Sequence, residues 1–275
     1  MATRSSTISV TTKRRHRRAR ASSALLGAAG IVLFLVAWEA VPRLGLVQER
    51  FLPAATTVID RFVTYLFDSS FWASAGHTMA AWGIGLAIST IAAIAAGLII
   101  GSSTFLRRAT FTTIEFLRPI PSVALIPLAV LLFGAEIKSS LLLVIYASFW
   151  QVLIQVLYGV ADVDPVAYNT ARSFRMGRLA RIRYVVWPTA LPYIMTGIRL
   201  ASAVALILAI TAELIIGSPG LGEQIALTQS GNQVPEMYAL ILATGFIGVL
   251  INVVVRRVER SVLAWHTSVR GEAVL

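Results

Sequence analysis

Six apolar runs, each near the length that crosses a bilayer and separated by short polar breaks, leave this chain few folds to choose from. They cover about residues 24–42, 77–101, 110–133, 139–160, 193–215 and 237–255. A spanning helix needs roughly 20 predominantly apolar residues, so the pattern predicts an all-α polytopic membrane protein with six transmembrane helices. Composition agrees, since 57% of the 275 residues are hydrophobic and only 13% are charged. A soluble domain carries about twice that charged share. The chain has no cysteine, which excludes disulfides, thiolate metal sites and cysteine catalysis.

A net charge of +11 would point to nucleic acid in a soluble protein. The placement of the charge gives a different reading. With the N-terminus inside, cytoplasmic segments hold 18 of the 24 Lys and Arg residues, and external segments hold only Arg43, Arg50, Arg61 and Lys138. This positive-inside asymmetry puts both termini in the cytoplasm of a multi-pass inner-membrane protein and calls for no nucleic acid. Seven basic residues and no acid lie in residues 1–23. Such a tail either touches anionic membrane lipid or is a solvated, topology-setting segment. The apolar run behind it is too long for a cleaved signal peptide.

The expected organisation is a basic cytoplasmic tail at 1–23, a membrane domain at 24–260 and a second tail at 261–275. The longest polar interruption, at 161–192, lies inside the membrane domain. Asp164 before Pro165 is a helix start, an acidic N-cap followed by proline at the first helical position. Val166, Thr170 or Ala171, and Phe174 then recur at helical spacing along one apolar edge. Arg172, Arg175, Arg178, Arg181 and Arg183 follow, ahead of Trp187-Pro188-Thr189-Ala190-Leu191-Pro192.

This loop resembles the EAA loop of permease subunits of bacterial ABC importers. In that pattern E-A-A is followed by three residues, a glycine, and then paired prolines. Here Asn169, Thr170 and Ala171 stand at the E-A-A positions and Arg175 at the glycine, with Gly177 two residues on; Pro188 and Pro192 are the prolines. A second match is R-P-I-P-x-x-A-x-I-P-L, which opens at Arg118, Pro119 and Pro121. A third is an A-E-x-x followed by G-L-G, at Glu213 and Gly220-Leu221-Gly222. Phe51-Leu52-Pro53, after the first run, adds a fourth. Together these are similar to the nitrate/sulfonate/taurine branch of binding-protein-dependent permeases over most of residues 50–265.

The resemblance implies a type I importer permease fold, MetI-like, with two copies forming the pathway. It implies a cytoplasmic ATPase subunit seated on Asn169, Thr170, Ala171, Arg172, Phe174, Arg175 and Gly177, and an extracytoplasmic binding protein that delivers the solute. The implied solute is a nitrate-, sulfonate- or taurine-like anion or a related small organic molecule.

The residues themselves carry further expectations. The second run is rich in Gly, Ala, Ser and Thr, which lets helix backbones approach closely in lipid. Thr57–Phe67 reads as an amphipathic helix at the external surface. Pro119, Pro121 and Pro127 must break or kink the third span. Glu115 and Arg118 lie one turn apart, at a spacing that allows an ion pair. Arg199 is placed to snorkel to the interface. Glu213 stands in the outer third of its span, where it either serves the pathway or reaches external water. Arg118, Pro119, Pro121 and Glu213 are therefore the pathway and gating candidates.

No P-loop occurs, so ATP hydrolysis would belong to another subunit. No metal, cofactor or catalytic constellation is evident; His16, His77 and His266 are scattered. The competing class is a secondary transporter or channel of the inner membrane that works without an ATPase.

Overall fold

The computed structural model describes residues 8–265, and every regular element among them is helical. Helix α1 (Ile8–Arg43) begins inside the basic tail, and its apolar part is Leu25–Arg43. Then follow α2 (Ala55–Leu66), α3 (Ser69–Gly101), α4 (Thr104–Leu117), a 3-10 turn (Ser122–Leu125), α5 (Ile126–Phe133) and α6 (Ile137–Ala161). The second half holds α7 (Pro165–Ser173), α8 (Arg178–Arg181), a π turn (Ile182–Val186), α9 (Trp187–Ile216), α10 (Leu221–Ser230) and α11 (Val234–Val262). Arg4, His266 and Arg270, with most of the 261–275 tail, lie outside the described residues.

Among the described residues five helices are long and apolar enough to cross a membrane. The count rises to six if α4 and the 3-10 turn with α5 are one span, and these two bend by 80° at their junction. The bend follows from Pro119 and Pro121. Pro121 is extended, at φ −63° and ψ 120°, and neither proline offers an N–H to continue the α4 ladder. The expected kinked third span is thus two helices meeting nearly at right angles. Other crossings run longer than the apolar runs alone. Helix α3 starts at Ser69 because Asp68 caps it, accepting from the Ser70 N–H at 2.9 Å and the Ser70 hydroxyl at 2.8 Å. Those two bonds hold the Asp68 carboxyl below its ordinary pKa.

The core is a three-helix layer of α3, α6 and α9. On α3 a small residue recurs every fourth position: Ala81, Gly85, Ser89, Ala93, Gly97 and Gly101 are all buried. Val144, Val152 and Val156 of α6 are fully buried in the same layer. A Cβ added at Gly85 would stand 2.5 Å from Val144 Cγ1, and one at Gly97 would stand 2.5 Å from Val156 Cγ1. Both pairs have the same numerical offset, so α3 and α6 run parallel. On the other side of α6, Gly159 meets Ala190 and Gly197 meets Val152, the register of an antiparallel pair. Glycine serves here by leaving room for a neighbour, as expected where packing drives helix association in lipid.

Two short helices lie at one end of the bundle. Helix α2 buries Ala55 and Val58 and its Arg61 pairs with Glu236 of α11 at 3.3 Å. It has no side-chain cap of its own; Glu39 of α1 supplies one, accepting from the Thr56 N–H at 3.0 Å and its hydroxyl at 2.9 Å. Helix α10 packs Leu221 and Ile225 against Phe71, Ala75, Leu240 and Ala243. The opposite end carries α7 and α8.

Gly97→Ala tests the seam between α3 and α6. It should destabilise the purified protein by about 1–3 kcal/mol, the usual cost of overpacking, and Val156→Ala in the same chain should return most of the lost thermal midpoint. Equal midpoints for wild type and Gly97→Ala would show that α6 does not rest on that glycine.

Candidate functional site

At the α7 end, the polar loop folds as its residues dictate. Asp164 Oδ1 accepts from the Val166 N–H at 2.8 Å, and Pro165 fills the first helical position. The helix ends with two crossed bonds, Met176 N–H to the Ala171 carbonyl and Arg175 N–H to the Arg172 carbonyl, each 3.0 Å. This is a Schellman ending, which needs a left-handed residue just past the cap. That residue is Arg175, at φ 56°. The glycine expected from the EAA pattern belongs at this position for that reason; Gly177 does not replace it, since its φ of −60° suits any residue.

Ala171 is buried, whereas Phe174 is 80% exposed at the helix end. Val166 and Leu179 are also exposed, so three apolar side chains of the loop are left uncovered by their own chain. Asn169, Thr170 and Arg172 stand on the same short helix and Gly177 opens α8. The five arginines divide by environment. The guanidinium of Arg181 lies 5.0 Å from the centre of the Tyr168 ring, bracing α7 against α8, while Arg172, Arg175, Arg178 and Arg183 are exposed.

The loop is joined firmly to the core. Tyr193 of α9 donates to Asp162 at 3.0 Å, and α8 runs through the π turn directly into α9. Pro188 and Pro192 withdraw two N–H donors from this stretch. The hydroxyls of Thr189 and Thr196 bond back to the Val185 and Pro192 carbonyls at 2.9 and 3.0 Å.

At the other end Glu213 does not reach water, being 1% exposed. Its Oε2 accepts from the Thr78 hydroxyl at 2.8 Å and from the Gly222 N–H at 3.0 Å. Thr78 in turn accepts from the Leu221 N–H at 2.9 Å. Helix α10, which has Gly220 at its N-cap and no cap side chain, is thus capped by residues of α9 and α3. The glycines of the G-L-G string are required by this approach: a Cβ at Gly220 would overlap the Glu213 carboxyl, and one at Gly222 the Ile210 carbonyl oxygen. Ser140 and Ser218 bond at 2.8 Å beside it.

Three side chains depart from expectation. Arg199 does not simply snorkel; it pairs with Glu259 of α11 at 3.3 Å. Glu115 and Arg118 make no ion pair with each other among the described residues. Both are exposed. Pro119 and Pro121 lie at the 80° bend.

Residues 89–263 match the family model described as "Binding-protein-dependent transport system inner membrane component". The chain is 27% identical over 239 residues to the putative aliphatic sulfonates transport permease protein SsuC of Bacillus subtilis (strain 168), covering 87% of each. It is 28% identical over 245 residues to the taurine transport system permease protein TauC of Escherichia coli (strain K12), covering 87% of this chain and 89% of the relative. In fold it is similar to the solved MetNI methionine ABC transporter in an inward-facing conformation. That likeness has a TM-score of 0.57 at 16% identity and covers 73% of this chain and 97% of the other.

Two substitutions test the local geometry. Arg175→Gly should stabilise the α7 end by about 1 kcal/mol, because a left-handed non-glycine residue costs roughly that much; the check is slower amide exchange at Met176. Thr78→Val should free the Leu221 N–H and leave Glu213 with one bond fewer. That should lower stability by about 1–3 kcal/mol, whereas Thr78→Ser should keep the wild-type thermal midpoint.

Proposed function

The chain belongs to the family of binding-protein-dependent transport system inner membrane components, and from that premise we propose how it works. It is a permease subunit of an ABC importer. Its part in our reading is to pair with a second copy, form the pathway, and take its energy from a separate ATPase subunit bound at α7. Both termini lie in the cytoplasm, with α7 and α8 on the same side and α2 and α10 facing the binding protein. The solute is a small anion such as a sulfonate, in keeping with what the named relatives carry.

The observation that carries this reading is the exposed Phe174 at the end of a braced helix. An aromatic left 80% exposed on a loop whose Val166 and Leu179 are also uncovered is a knob without a socket. Burying such a side chain is worth roughly 1.5–3 kcal/mol. Arg172 and Arg175 flank it, in position to pair with carboxylates at the rim of the groove, where exposed pairs add about 0–1 kcal/mol each. The aromatic therefore dominates docking and the arginines orient it.

Closure of the ATPase pair would push α7, and the continuous α8–α9 rod would pass the displacement through the membrane. The other end of α9 holds α10 through Glu213. Glu213 thus serves the pathway by position, holding the outer end of the rod. Transport requires that substrate affinity differ between the two resulting states.

Phe174→Asp should leave the permease inserted and dimeric while the ATPase subunit retained per permease falls by about one to two decades in affinity. Arg172→Ala should weaken retention mildly and in a salt-sensitive way. Full retention together with full binding-protein-stimulated hydrolysis in Phe174→Asp would refute docking at this helix. Orientation has its own check: in this cysteine-free chain, Asp60→Cys should react with an impermeant thiol reagent on intact cells. A cysteine in place of Arg178 should react only after permeabilisation.

A further inference from the structure

The bend between α4 and α5 sets a charged side chain at membrane depth. The Tyr146 hydroxyl donates to the Leu117 carbonyl at 2.7 Å, fixing the level of the bend against α6. Tyr146 is nine residues past the start of α6 and fifteen before its end. At 1.5 Å per residue these are about 14 Å and 22 Å, so Leu117 and Arg118 stand in the central part of a hydrocarbon core about 30 Å thick. The turn above agrees with this level, because Ser139 near the start of α6 bonds to the Ala129 and Gly134 carbonyls at 3.0 and 2.6 Å.

Arg118 is exposed there, and no carboxylate of the described residues pairs with it. An arginine facing lipid at this depth is costly, and intramembrane charges face a bundle interior or a watered cavity. The backbone argues the same way: non-helical chain at membrane depth is tolerated where it is buried in protein or lines a cavity. Residues 118–121 are such a stretch. Glu213, the buried acid of α9, bonds Thr78 and Gly222 through Oε2, its Oε1 is buried without a partner, and it makes no ion pair with Arg118. A second donor goes unanswered nearby: the Trp150 indole N–H is buried without an acceptor, and its ring lies 5.9 Å from that of Tyr146.

We propose that Arg118 is the anion-contact residue of the translocation pathway, its guanidinium meeting the charged group of a small oxyanion as that solute passes the bend. The inference rests on the permease reading and deepens it. A guanidinium presents a planar fork of donors that fits a sulfonate or carboxylate, and a lysine supplies charge without the fork. The contact must also release its ligand, because a site on a path conducts only if binding is weak enough to leave.

The test uses the complete importer with its binding protein in proteoliposomes, with taurine, ethanesulfonate and nitrate as probes. Uptake and ATP hydrolysis are measured together for wild type, Arg118→Lys, Arg118→Gln and Glu115→Gln. Arg118→Gln should cut uptake about tenfold, the factor that loss of one charge-assisted hydrogen bond carries, while binding-protein-stimulated hydrolysis stays near wild type. Arg118→Lys should retain an intermediate rate, and Glu115→Gln should match wild type. Unchanged uptake in Arg118→Gln overturns the proposal. So does an equal loss in Glu115→Gln, which would mean that the arginine answers an acid of a second copy. Failure of Arg118→Lys to assemble would assign the residue to packing, and absence of wild-type uptake of all three probes, with hydrolysis still stimulated, would remove its ligand. Absence of stimulated hydrolysis in wild type would count against the importer reading itself, an outcome distinct from all of these.

Discussion

Everything in this fold depends on how closely α6 can approach α3. Six small residues at every fourth position of α3 leave a flat strip, and the valines of α6 lie on it with Cγ atoms where a Cβ would otherwise be. Lipid gives no hydrophobic drive to this pairing, since hydrocarbon tails are as apolar as the side chains. What holds the helices is contact, and contact needs small residues. With α6 so placed, its other face receives α9 through Gly159 and Gly197. The three-helix layer then has one rod, α8–α9, that reaches from the loop at one end to α10 at the other.

Polar groups in this bundle do positional work. Neither α2 nor α10 carries its own N-cap side chain, and each borrows a carboxylate from the end of a spanning helix: Glu39 from α1 and Glu213 from α9. The short surface helices are thereby tied to the rods beneath them. A borrowed cap satisfies N–H groups that would otherwise stand bare at a helix start, and it couples two elements where a local cap would couple none. Tyr193 with Asp162, and Tyr146 with Leu117, do the same for the α7 loop and the α4–α5 bend.

Much of this was legible in the residues, for stated reasons. Span positions follow from apolar length, α7 from Asp164-Pro165, and tight packing of α3 from its small residues; the break at Pro119 and Pro121 follows from two missing donors. The 80° angle does not follow, because prolines remove bonds without setting direction; on either side of the bend the chain is held by bonds from Ser139 and Tyr146 of α6. Glu213 reads equally well as a wet helix end or a buried acid, since its partners lie 135 residues away at Thr78 and nine away at Gly222. The Glu259 partner of Arg199 is 60 residues distant and is invisible to local spacing. At Arg175 the family pattern was the better guide: it placed a glycine where the backbone indeed turns left-handed, although this chain keeps arginine there.

If the exposed Phe174 seats an ATPase subunit, the two must lie within cross-linking distance. A photoactivatable side chain in place of Phe174, in membranes holding the whole importer, should cross-link to the ATPase subunit in good yield. One in place of Phe67, which is 87% exposed beyond α2, should not. Cross-links from position 174 that go to lipid or to the permease itself, with none to the ATPase subunit, would contradict the account.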